Sequence, residues 1–264
     1  MSFTESVYLD AVSPDGKTAI VTRLARHVDE GVAWLWLHVF SPETNVAFVR
    51  DDLELIGGPT IDSASGAQYT LDVDAASAHF ERSGDKSAPS RAEVDLHLFD
   101  QGVRLTATFH PTGPAGSNLP GRTEVLGRVE ATLTTPSGRV DVTGLGQFHE
   151  QHQTTPRFQV PFTYGTLRGD DLGLVFLIGP RGSTAFVRMG EDVSTASRVR
   201  IDPVGAERSL DLELDTGGRL RVDVTRTHHY LVPLNGHPRD SSIVAATAMD
   251  LPVSGCINDW QPRR

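Results

Sequence analysis

The sequence predicts an all-β protein built from two tandem antiparallel units, each a barrel or half-barrel. Three observations carry this expectation. Short runs with period-two alternation or β-branched enrichment recur along the chain. Glycine (25 residues) and proline (16) punctuate them, at intervals of about ten to fifteen residues, as in sandwiches and barrels. One strand-and-turn pattern also occurs twice. No segment sustains the apolar period of about 3.6 residues that marks a long amphipathic helix.

In chain order the strand-like runs are KTAIVTRLAR (17–26), VAWLWLHVF (32–40), VDLHLF (94–99), VRLTATF (103–109), LGLVFLI (172–178), LDLEL (210–214) and LRVDVTRTH (220–228). SPDGK (13–17), TPSGR (135–139), RGDDLG (168–173) and DTGGR (215–219) supply hairpin turn chemistry, because Gly, Asp and Pro there favour the tight backbone a turn needs. Residues 74–82 are expected to form one or two helical turns.

The repeat is AFVR, at 47–50 and 185–188, each copy following a strand and a Pro-containing turn. Each is followed by a polar stretch and a pair of strands around a glycine turn, VDLHLFDQGVRLTATF (94–109) and LDLELDTGGRLRVDVT (210–225). The join is expected in HPTGPAGSNLPGR (110–122), whose three prolines and three glycines suit a connection rather than a packed element. The expected division is therefore 1–120 and 121–264. Closing each sheet would remove exposed edges and create apolar cavities for small ligands.

Composition narrows the function. With 34 acidic against 24 basic residues the net charge is −10, and the absence of a Lys/Arg cluster argues against binding nucleic acid, which depends on neutralising phosphates. One cysteine, Cys256, permits no intrachain disulfide, consistent with a reducing compartment. MSFTESVYLDAV lacks the features of a secretory signal, and no apolar run approaches the ~18–20 residues of a membrane span. The expectation is a cytoplasmic protein. GGPTIDSASG (57–66) lacks the Lys-Ser/Thr ending of a phosphate loop, and neither a dinucleotide fingerprint nor a serine nucleophile elbow is present.

Two segments carry a family resemblance: YLDAVSPDGKTAIVTRLARHVDEGVAWLWLHVF (8–40) and VTGLGQFHEQHQTTPRF (142–158). With them the chain resembles the tandem lipocalin-like superfamily that includes the carotenoid 1,2-hydratases (hydroxyneurosporene synthases), with relatives among natural-product cyclases and cycloaddition enzymes. The resemblance implies two lipocalin-like barrels or half-barrels side by side. It also implies that Gly144, Gly146, His149 or His152, and Arg157 occupy the family's Gly-x-Gly strand and the polar loop after it. QTTP stands here where the family has tryptophan and glycine.

The chemistry-bearing stretch GQFHEQHQTTPRF (146–158) admits three readings. As a metal site, His149 and His152 would have to share a face, which residues three apart do on a helix but not on a strand. As an acid–base site, His149, Glu150 and His152 would move protons, while Arg157 or Tyr164 positions oxygen atoms. As a solvated loop, it would have no chemical role. Trp34, Trp36 and His38 share one face of VAWLWLHVF, where the tryptophans either line a cavity or pack as core. In TRTHHYLVP (225–233), His228 shares the parity of Val222 and Val224 and is expected to point inward. Cys256 has no evident nucleophilic context.

The resulting expectation is a cofactor-free and metal-free acid–base enzyme acting on a small hydrophobic metabolite of terpenoid or polyketide type, by hydration, isomerisation or cyclisation. His149, Glu150, His152, Arg157 and Tyr164 would be catalytic, and Trp34, Trp36, His38 and His228 would line the pocket. The rival expectation is a lipocalin-like carrier that binds such a molecule without converting it. Oligomeric state is left open.

Overall fold

The computed structural model describes residues 4–261 apart from 56–59, 114, 117–120, 155–159, 191 and 235–236. The described residues form nineteen strands and one 3-10 turn at Val28–Glu30. Two compact units divide the chain: Met1–Ala11 with Thr18–Pro156, and Val12–Lys17 with Arg157–Arg264.

The first unit contains β1 (Thr4–Val12), β2 (Ala19–His27), β3 (Val32–Phe40), β4 (Asn45–Glu54), β5 (Ile61–Ser63), β6 (Gly66–Val73), β7 (Ala76–Asp85), β8 (Ala88–Leu98), β9 (Val103–Pro111), β10 (Arg122–Thr135) and β11 (Gly138–Gln153). They form one eleven-stranded sheet in the order β4-β3-β2-β1-β11-β10-β9-β8-β7-β6-β5. The sheet curls so that the side chains of β6 and β7 meet those of β11, through Tyr69 and Arg82 on Glu150. Its core face is apolar, with Leu9, Leu35, Leu37, Phe80, Phe109 and Phe148 in one buried cluster.

The second unit contains β12 (Phe162–Arg168), β13 (Leu172–Gly179), β14 (Gly182–Met189), β15 (Asp192–Ile201), β16 (Glu207–Leu214), β17 (Arg219–Leu234), β18 (His237–Ala248) and β19 (Leu251–Trp260). They close into an eight-stranded barrel in sequence order. The closing ladder pairs β12 with β19 from Phe162↔Trp260 to Arg168↔Ser254. Leu174, Phe176, Val187, Leu210, Val222 and Ile257 belong to the cluster that fills its interior. The architecture is thus the all-β, tandem lipocalin-like one, a half-barrel followed by a closed barrel.

Three details depart from the sequence reading. Residues 76–85 are strand β7, not helical turns. Ala76, Ala78, Phe80 and Arg82 are buried there and alternate with half-buried Ser77, His79 and Glu81, so the period is two. Residues 122–153, beyond the expected join at 120/121, form β10 and β11. These strands pair with β9 and with each other, and so lie in the sheet of the first unit. Finally, residues 146–153 are the end of a sixteen-residue strand, not a loop.

Candidate active site

Strand β11 is buried on both faces where the polar motif begins: Gln147 is 0 %, Phe148 1 %, His149 3 % and Glu150 2 % exposed. That excludes a solvated loop over 147–150. Side chains alternate along a strand, so the motif divides. Phe148, Glu150 and His152 point to the core face, while Gln147 and His149 point to the far face.

The far face gathers residues from four other strands. On β1 the odd positions Val7, Leu9 and Ala11 join the apolar cluster, which places Thr4, Ser6, Tyr8 and Asp10 on the far side. On β3, Ala33, Leu35, Leu37 and Val39 face the core, so Trp34, Trp36 and His38 share the far face with His149. The Tyr8 ring lies flat on the His149 imidazole, centroids 4.7 Å apart at 12°. Its hydroxyl donates to Asp10 Oδ2 at 2.9 Å. Asp10 Oδ1 accepts the backbone N–H of Gln147 at 2.9 Å. Gly146 permits this close approach, since a Cβ there would collide with the Asp10 carbonyl oxygen and with Val129.

The Arg122 guanidinium lies 3.2 Å from His149 Nδ1. Arginine can only donate, so Nδ1 accepts, and in the neutral ring the proton sits on Nε2. Glu124 holds Arg122 Nε at 2.5 Å. Further along the face, the Arg23 guanidinium sits 5.3 Å over the Trp36 ring and donates to Ser6 at 2.9 Å. His27 packs on Trp34 at 4.2 Å, and burial pushes its imidazole below the usual histidine range. Buried aromatic walls with a few fixed ionisable groups are what small-molecule sites are made of. Here they occupy the face that does not serve the apolar core.

The core face carries a different constellation. Glu150 accepts the Tyr69 hydroxyl on Oε1 and Arg82 Nε on Oε2, both at 2.7 Å. Arg82 also donates to Asp62 at 2.7 Å and to the Gly84 carbonyl. Tyr69 Oη is 3.2 Å from His152 Nε2. Burial raises the Glu150 carboxyl despite Tyr69 and Arg82, and burial lowers the His152 imidazole. Tyr69 is pushed strongly upward by burial and then by Glu150. His149 and His152 point to opposite faces, so this stretch of β11 cannot bring both to one ion. Among the described residues no group of three or more His, Cys, Asp and Glu side chains has metal-site geometry.

The remaining candidates lie in the second unit. Tyr164 is buried on β12 opposite Asn258 and Leu177, one residue out of phase with the interior-facing Leu167. His228 does not point into the barrel. An extra residue between Arg226 and His228 shifts the register, pairing His228 with Ile243 and His229 with Ser242, so it is His229 that shares the inward face and meets Asp240 at 3.0 Å. His228 instead has its Nε2 3.0 Å from the Lys17 carbonyl. Arg157 lies outside the described residues. Sequence reasoning did not single out Tyr8, Asp10, Tyr69 or Arg82. For Tyr8 and Asp10 a signal existed, because SVYLDA (6–11) sets Ser6, Tyr8 and Asp10 in alternation with Val7, Leu9 and Ala11.

The whole chain shares its fold with solved tandem lipocalin-like proteins. CghA, crystallised with Sch210972, matches with a TM-score of 0.73 at 12 % identity, covering 98 % of this chain and 88 % of that one. A Nitrosomonas europaea protein described as AttH gives 0.68 at 12 %, over 98 % and 92 %. Kievitone hydratase from Nectria haematococca gives 0.61 at 12 %, over 98 % and 89 %. No curated protein matches in sequence. Residues 1–148, more than half of the chain, match the family model described as a domain of unknown function, DUF7064, and the chain belongs to that family.

Proposed function

We propose that the protein is an acid–base enzyme acting on a small hydrophobic molecule, and that the far face of the first sheet carries the chemistry. The observation behind this is the placement of His149 flat against Tyr8 with Nδ1 engaged by Arg122, on the same face as Trp34, Trp36 and His38. His149 would hold and release the proton at Nε2, and the Tyr8–Asp10 pair would supply a second donor. Trp34 and Trp36 would form the wall against which a planar or unsaturated substrate lies. With the substrate held in one folded form, hydration, isomerisation or cyclisation needs only a proton given at one atom and taken at another. No cofactor enters this scheme. Two structural neighbours add support: one is a hydratase by name and the other was crystallised with a small molecule.

Incubating the protein with fractionated metabolite extracts and comparing masses tests the reading. A substrate converted with no change of mass, or with gain or loss of one water, is the expected result. His149→Gln should slow that conversion by about 10²–10⁴-fold, the usual contribution of a general acid–base group. A molecule that binds tightly but is recovered unchanged from both proteins would make the chain a carrier instead.

A further inference from the structure

Three arginines are buried in the first unit, Arg23, Arg26 and Arg82, and two of them meet carboxylates. Arg26 Nη1 donates to Glu5 at 2.5 Å. Arg82 donates to Glu150 and to Asp62, at 2.7 Å each. Arg23 is the exception. On β2, Ile20 and Leu24 join the apolar cluster, so Arg23, Ala25 and His27 share the far face with Trp34 and Trp36. The register sets Arg23 opposite Trp36 and Ala25 opposite Trp34. Arg23 is 7 % exposed and its partners are neutral. Its Nη2 donates to Ser6 Oγ at 2.9 Å, and the guanidinium lies 5.3 Å over the Trp36 ring. Among the described residues Arg23 makes no ion pair, and its buried Nε has no hydrogen-bond partner.

The carboxylates of this face are engaged elsewhere. Asp10 takes the Tyr8 hydroxyl and the Gln147 N–H, and Glu124 holds Arg122. A guanidinium stays protonated in proteins, so Arg23 cannot relieve its burial by shedding a proton as a lysine or histidine does. A buried cation with no counter-charge is costly, and one hydroxyl and one ring offset only part of that cost. A second atom is left open on the same face. His27 is 5 % exposed, with Nδ1 3.3 Å from Thr4 Oγ1 and a buried Nε2 that has no partner among the described residues. Two polar side chains more than nine-tenths buried thus accompany the tryptophans with an atom unfilled.

We propose that the substrate is a hydrophobic carboxylic acid, and that Arg23 anchors its carboxylate while Trp34 and Trp36 flank its apolar body. This rests on the far-face reading above and names the substrate class which that reading leaves open. The missing counter-charge is the reason. A carboxylate oxygen at Nε makes a charge-assisted hydrogen bond, and the planar fork of a guanidinium matches a carboxylate better than it matches a single oxygen. The bound acid supplies the negative charge that the described residues withhold. Arg23 stands on β2 and His149 on β11, with β1 between them, so the anchor and the proton-transfer group address different parts of one molecule.

Two measurements on the full chain test this, the first without ligand. Arg23→Met removes the buried charge and keeps an unbranched side chain, so the protein should unfold at the wild-type temperature or above it, as happens when a group held for binding at a cost in stability is removed. A lower midpoint would make Arg23 a structural tie to Ser6 and Trp36 and overturn the proposal. The second measurement splits a metabolite extract on an anion exchanger into acidic and neutral fractions, and native mass spectrometry identifies what the protein retains. The retained molecule should carry a carboxyl group and bind about 10–100-fold more tightly than its own methyl ester, a preference that Arg23→Met abolishes. A retained molecule without a carboxyl group, or the same preference in Arg23→Met, overturns the proposal, and conversion of that molecule would leave the acid–base reading standing. An acid retained with the expected preference but never converted upholds the anchor and defeats the enzyme reading instead. Retention from neither fraction defeats both.

Discussion

The two units close their sheets by different means. In the barrel, β12 and β19 pair along their backbones from Phe162↔Trp260 to Arg168↔Ser254. In the first unit the curl is held across its seam by side chains, Glu150 with Arg82 and Thr60 with the Glu5–Arg26 pair. The barrel has its own buried pair, Arg208 on Asp259 at 2.8 and 3.2 Å with Thr163 donating to the same carboxylate at 2.7 Å. That pair is two-pronged and sits inside a sheet already closed by its ladder. The side-chain contacts of the first unit thus join strands that no ladder pairs, whereas the barrel's ion pair adds to a ladder that is already closed.

Replacing Gly255 with valine is the strongest way to break the contrast. A Cβ there would strike the Thr166 carbonyl across the closing ladder, and the loss should exceed about 4–5 kcal/mol, the range of exceptional single substitutions. Thermal or urea unfolding should then show no cooperative barrel transition. Next in size, Arg82→Leu and Arg208→Leu should each cost about 3–5 kcal/mol, because each strands a buried carboxylate. Hydrogen exchange separates them: Arg82→Leu should free residues 60–85, whereas Arg208→Leu should leave the β12–β19 ladder protected. Smallest of all, Arg198→Ala removes an ion pair to Glu213 at 3.2 Å in which the two side chains are 59 % and 44 % exposed. Its effect on the unfolding midpoint should stay below about 1 kcal/mol.

Most strands were legible because alternation is a local property. The runs at 32–40, 103–109 and 172–178 fall within β3, β9 and β13. The repeat was legible too: AFVR falls on β4 and on β14, each following the strand with which it pairs. Residues 74–82 misled because alanines and a serine lack strand character, although Phe80 and Arg82 face inward at the strand period. His228 misled because a one-residue bulge inverts every later side chain, and no composition marks that bulge. The polar motif was visible as a chemical oddity, but its partners were not. Tyr69 and Arg82 reach Glu150 across 81 and 68 residues, and Asp10 reaches Gln147 across 137. Contacts of that span are set by the curl of the sheet, which no local pattern encodes.

His149 and Glu150 are neighbours in sequence on opposite faces of β11, so comparing them tests the assignment most directly. With a converted metabolite in hand, turnover by His149→Gln and Glu150→Gln should differ sharply. The far-face site predicts that His149→Gln loses conversion by about 10²–10⁴-fold, while Glu150→Gln keeps it. Loss of conversion in Glu150→Gln with His149→Gln still active would place the chemistry on the core face and contradict the account.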